Sequence, residues 1–182
     1  MKKLIILLLL IVPLNSFACS CDWSGNFLRI VKHSELIVKA KVLDFYFHSE
    51  SGERSKDEFL IADKDDNYGT SILIEIISVL KGKEIRKQVE IYGADGSDCR
   101  GGLFEYKVGS FYIFSIYKSS SDYYAKQPNE DELDYSIDGC YESSLEYFPK
   151  TNEVKGSIKG RKSRKIRVWK YDKFLRKLKK RI

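Results

Sequence analysis

The chain has 182 residues, 43% hydrophobic and 13% aromatic, with 32 Lys and Arg against 26 Asp and Glu and a formal net charge of +6. That apolar content excludes a disordered polymer, and the length suits one domain with a proper core. The apolar run Leu4 to Val12 is shorter than the ~20 residues a membrane-spanning helix needs, and no later segment comes closer.

Residues 1–18 read as a signal peptide. Lys2 and Lys3 form a positive n-region, Leu4 to Val12 an apolar h-region, Pro13 and Asn15 break it, and Ser16-Phe17-Ala18 is a small-x-small cleavage site. A cut after Ala18 makes Cys19 the first residue of an exported chain, secreted or periplasmic. The competing reading is a lipoprotein anchored through Cys19, although Ser16 and Phe17 stand where such signals carry leucine and then a small residue.

After Cys19-Ser20-Cys21, the segment Asn26 to Ser34 places Phe27, Leu28, Ile30 and Val31 at near-helical spacing, and Leu36 to Phe47 turns to β-rich residues. In that strand Leu36, Val38, Ala40, Val42 and Asp44 share one face, and Ile37, Lys39 and Lys41 the other. Ser49 to Tyr68 reads as a long hairpin loop. Its Asp63, Asp65 and Asp66 lack the glycine-centred twelve-residue loop of a calcium site. Thr70 to Leu80, Gln88 to Tyr92 and Ser110 to Tyr117 are strands, with a turn at Lys81-Gly82-Lys83. Gly93 to Gly102 is a cysteine-bearing connection without the lysine of a phosphate-binding loop. Ser119 to Leu133 is polar, and Asp134 to Gly139 forms a short strand before Cys140. Uneven strands with one early helix suggest a small closed barrel.

The charge is divided. Cys19 to Val154 holds 16 Lys and Arg against 25 Asp and Glu, whereas Lys155 to Ile182 holds 14 against Asp172 alone. Glu153 to Lys159 and Lys165 to Trp169 predict a charged hairpin. From Tyr171 on, Phe174, Leu175, Leu178 and Ile182 recur at helical spacing. This helix either lies on a surface or packs its stripe on the barrel, which is the reading we favour. An anionic surface or a polysaccharide is the partner the basic tail suits, and export excludes nucleic acid.

Four cysteines in an exported chain read as two disulfides. Joining Cys19 to Cys21 would close a ring of poor geometry, so two long-range pairings remain. Each closes a loop worth ~3 to 5 kcal/mol in the chain-entropy model. The Cys-x-Cys spacing does not match a four-cysteine zinc site. His33 and His48 have no nucleophile or ligand neighbour in sequence, so the chain does not read as an enzyme, and nothing calls for a cofactor.

The ordered set of Cys19-Ser20-Cys21, a helix, Glu35 to Val42, Ile74 to Gly82, Cys99, Gly109 to Phe114 and Cys140 resembles the netrin-like domain, and within it the N-terminal domain of tissue inhibitors of metalloproteinases. The resemblance implies a mainly β fold, a five-stranded OB-type barrel with flanking helices over residues 19–150, and a basic hairpin and helix extension over 151–182. It implies the disulfides Cys19 with Cys99 and Cys21 with Cys140. It also implies inhibition of a zinc metalloprotease: the α-amine and carbonyl oxygen of Cys19 chelate the protease zinc, Ser20 enters the specificity pocket, and Cys21 and Asp22 lie along the cleft. Asp22 departs from the usual apolar residue, and the family's third cysteine in the first helix region is missing. The alternative is a non-inhibitory binding or adhesion module at the cell surface, in which Cys-x-Cys only clamps the N-terminus.

Overall fold

The computed structural model describes residues 23, 25–58, 68–95, 98–119, 126–160 and 165–182. In chain order these form α1 (Phe27–Ile30), β1 (Leu36–Ser49), β2 (Arg54–Ser55), β3 (Tyr68–Lys81), β4 (Gln88–Tyr92), β5 (Phe111–Lys118), β6 (Tyr135–Ser136), β7 (Ser144–Phe148), β8 (Glu153–Gly156), β9 (Arg167–Lys170) and α2 (Tyr171–Leu178). The described residues are mainly β, with one large sheet and two helices. None of the described helices is long and apolar enough to cross a membrane.

The sheet runs β2-β1-β3-β4-β6-β5-β7-β8-β9, and β5 also pairs with β1. The pairings β1–β3, β3–β4, β4–β6, β6–β5 and β5–β1 therefore return to their starting strand. All are antiparallel except β4–β6. A circuit of this kind leaves the five strands no free hydrogen-bonding edge at the paired positions.

Strands β1 and β5 face apolar surroundings on both sides along Leu36-Ile37-Val38 and Tyr112-Ile113-Phe114, which explains these unbroken apolar runs. Leu36, Val38, Ala40 and Val42 join Ile72, Ile74, Val89, Ile91, Phe114 and Ile116 in one core. From the same strands, Ile37 and Ile113 point the other way, into a second core with Phe27, Leu145, Val154 and Phe174. Lys39, on the face of Ile37, lies 5.0 Å from the ring centre of Tyr147 and 4.8 Å from that of Tyr171. Its charge thus caps the second core by cation–π contact.

Several expectations change. Asn26 to Ser34 supplies only one helical turn, Phe27–Ile30. Asp44 leaves the face of Val42 because the pairing with β3 steps from Val42–Ile74 to Asp44–Leu73, so Leu43 is an extra residue. The bulge turns Asp44 toward Lys56, at 2.6 Å, and brings Phe45 against the first core. The polar stretch after Ser119 holds two buried side chains, Gln127 and Glu130. Strand β7, unread in the sequence, joins the circuit to the hairpin of β8 and β9.

The terminal helix packs its apolar stripe. Tyr171, Phe174 and Leu178 are buried in the second core, and the Phe174 ring lies 5.8 Å from that of Phe27. Full burial of a Phe side chain contributes about 1.5–3 kcal/mol. Residues after 150 thus supply one wall of the second core, and their described Lys and Arg side chains are exposed.

Candidate functional site

The site begins where β4 ends. After Tyr92 the chain leaves the sheet, turns through Cys99 and comes back beside the continuation of β6. The Ala94 N–H donates to Gly101 O (3.0 Å), Gly101 N–H to Ile137 O (2.8 Å) and Gly139 N–H to Cys99 O (3.0 Å). Arg100 and Asp138 form an antiparallel bridge. Cys99 and Cys140, 41 positions apart in sequence, are thereby flanking residues of one short ladder. No described cysteine is a free thiol.

Each cysteine sits on a small turn held by an aspartate. Asp98 Oδ1 accepts the Arg100 N–H at 3.0 Å, and Asp138 Oδ1 accepts the Cys140 N–H at 2.6 Å, the local side-chain-to-backbone bond that favours Asp in turns. Burial pushes both carboxyls above the usual Asp value, partly offset by these same backbone bonds. Gly139 is required by the close approach. A Cβ there would stand 2.8 Å from Arg100 O and 3.1 Å from Cys99 O. Gly139→Ala is expected to cost about 1–3 kcal/mol in urea unfolding and to shift the amide resonances of Asp98 to Gly101. An unchanged spectrum there would show that the ladder tolerates the methyl group.

Beneath the Cys99 turn lies a buried ion cluster. Arg100 Nη1 donates to both oxygens of Glu130, at 2.9 and 2.8 Å, and Arg100 Nε lies 2.9 Å from Asp98 Oδ2. The Arg100 and Glu130 side chains are both 0% exposed. Glu130 also accepts the Gln127 N–H at 2.8 Å, and the Gln127 side chain donates to Gly93 O. The polar loop before β6 therefore fixes both ends of the cysteine turn.

The N-terminal segment arrives at the same place. The Glu142 N–H donates to Gly25 O (3.1 Å), while Phe27 N–H and Leu28 N–H donate to Ser157 O and Ile158 O at 3.0 and 3.1 Å. Glu142 Oε1 accepts the Ser157 N–H at 2.9 Å and ties these segments together. Trp23 lines a cleft of about 450 Å³ with Arg100, Gly101, Asp138, Gly139 and Tyr141. The chain entering from the N-terminal side thus lies against the ladder that carries Cys99 and Cys140.

Cys19, Ser20, Cys21 and Asp22, and the acidic trio Asp63, Asp65 and Asp66, lie outside the described residues. Among the described residues, no group of three His, Cys, Asp or Glu side chains is arranged to hold a metal ion. The two histidines differ. His33 is exposed beside α1, whereas His48 is wholly buried in a network invisible in sequence. Asn129 Nδ2 donates to His48 Nδ1 (3.1 Å), which leaves Nε2 to donate to Ser71 Oγ (2.7 Å). Ser71 in turn donates to Glu90, whose other oxygen is 3.0 Å from Arg54 Nη2. His48 Nε2 also lies 3.5 Å from the same Glu90 carboxylate, and Ser71 is fully buried, so this network locks β1, β3 and β4 together.

No protein-family model matches the chain, and no curated protein is significantly similar to it.

Proposed function

We propose that the chain is an exported OB-type barrel, stapled by two disulfides, that inhibits zinc metalloproteases through its mature N-terminus. The observation that carries this reading is the convergence of Trp23, Cys99 and Cys140 on one corner of the fold. Two residues of extended chain reach about 7 Å, a span from Trp23 that supports the pairing proposed here. Cys99 and Cys140 are both disulfide-bonded, and the pairing we propose is Cys19 with Cys99 and Cys21 with Cys140. The circuit of five strands, closed by one parallel pair between β4 and β6, supports the OB-type barrel.

Two adjacent staples would make the first residue a rigid projection. A free α-amine, with a pKa of ~8 when unperturbed, loses its proton to zinc near neutral pH. With the carbonyl oxygen of Cys19 it would fill the open positions of a catalytic zinc. Ser20 would enter the adjoining pocket, and Cys21 and Asp22 would follow the cleft. Rigid presentation lowers the ordering cost of binding.

The test is peptide mapping of the mature protein under non-reducing conditions, together with titration against a panel of zinc endopeptidases. The expected result is a free amine on Cys19, a Cys19–Cys99 linkage and stoichiometric inhibition of at least one enzyme. A lipidated or otherwise blocked Cys19 would end the chelation mechanism and leave the cell-surface binding module in its place.

A further inference from the structure

A second concave site adjoins the N-terminal corner, with Tyr141 shared between the two. A cavity of about 520 Å³ opens between α1, the end of β5 and the residues that follow α2. Arg29, Lys32, His33 and Arg181 stand around it, and the rings of Tyr117 and Tyr141 form its wall. No carboxylate is among its described lining residues. Arg29, Lys32, His33 and Arg181 are all exposed, and they come from two segments about 150 positions apart, brought together by the packing of Phe174 on Phe27. The Tyr rings are 6.2 Å apart and inclined at 60°. Burial pushes the Tyr141 hydroxyl well above the usual Tyr value, so the wall stays neutral and presents ring surface.

We propose that this cavity binds the phosphate group of an organic phosphate, with the organic part lying against Tyr117 and Tyr141. The Arg181 guanidinium and the Lys32 ammonium supply charge-assisted donors, and a planar guanidinium fork suits phosphate oxygens. The cavity exceeds the size of a bare phosphate, and its aromatic wall suits an apolar or ring-bearing body. Lys173, Arg176, Lys177, Lys179 and Lys180, exposed on and just after α2, raise the local anion concentration around the opening. The same chemistry is offered by a soluble phosphate ester and by the head group of an anionic phospholipid.

The experiment uses the full mature protein and two probes: phenyl phosphate in solution, followed by titration of amide and tyrosine resonances, and vesicles of phosphatidylglycerol in phosphatidylcholine, followed by sedimentation. The pocket variant Lys32→Ala/Arg181→Ala is compared with Lys177→Ala/Lys180→Ala, which removes the same charge from the tail away from the cavity. The pocket variant is expected to weaken binding at least about tenfold, the loss that one charge-assisted hydrogen bond would bring, and the tail variant less than about threefold. That contrast with phenyl phosphate assigns a soluble ester, and with vesicles alone it assigns a lipid head group. Equal weakening by the two variants would reduce the site to diffuse attraction by the basic tail, and absence of saturable binding of either probe at millimolar concentration would equally overturn it. Thermal unfolding of both variants checks that neither has lost the fold.

Discussion

Under the proposed zinc-chelating mechanism, a mature chain carrying one extra alanine before Cys19 is expected to lose at least about a hundredfold in protease inhibition, equivalent to about 2.7 kcal/mol of binding. One added residue moves the α-amine about 3.8 Å along the chain, and the group left at the zinc would be a peptide N–H, which does not coordinate as a free amine does. Fold and disulfides should be untouched, because the addition lies beyond both proposed staples; identical thermal unfolding of the two forms checks this. Undiminished inhibition by the extended form would rule out chelation by the N-terminus. Deleting the basic tail would not serve as the complementary test of a surface-binding module. Ile158, Tyr171, Phe174 and Leu178 all sit in the second core, so such a deletion would expose that core. Charge substitutions on the exposed face of α2 remove the cations and leave the packing.

Glu130→Ala is expected to destabilise the protein by about 3–5 kcal/mol, the usual loss when one member of a buried ion pair is removed. The Arg100 guanidinium would remain at 0% exposure with Asp98 as its facing carboxylate, and burial already disfavours the charged form of that group. The N–H of Gln127 would lose its acceptor as well. Urea unfolding of the disulfide-intact protein reads the effect as a lower midpoint at unchanged slope. Arg100→Met/Glu130→Leu should recover much of the loss, because an apolar pair avoids the desolvation of two charges. A loss below about 1 kcal/mol for Glu130→Ala would place this pair among weak surface bridges. Since the cluster supports the Cys99 turn, the same variant should also reduce the yield of correctly paired disulfides on refolding.

The legible parts of this protein are those whose signal is local. Gln88 to Tyr92 was readable as a strand to the residue, since β4 alternates and is bounded by charged and glycine-rich turns. The tail helix announced itself through Phe174 and Leu178 at a spacing of four. The two-sided burial of β1 was only half readable. The even positions were apolar, but Ile37 joined Lys39 and Lys41 on the other face, and only a second core explains it. The bulge at Leu43 left no mark, because one extra residue in a β-rich run keeps every local propensity intact while reversing which side each later residue faces.

By itself, then, the sequence determined the strand-forming runs, the amphipathic terminal helix, the acidic body and basic tail, and the leader-like start with its Cys-x-Cys, all properties of residues within a few positions of one another. Only the tertiary structure decided that β5 returns to β1 and closes the circuit, that Arg100 meets Glu130, that Ser71 bridges His48 and Glu90, and that Cys99 and Cys140 share a ladder beside Trp23. Each of these joins groups 19 to 117 residues apart. Such contacts are selected by the free energy of the whole packed chain, in which a buried charge or hydroxyl must find its partner wherever the fold brings one, and no local pattern encodes that choice.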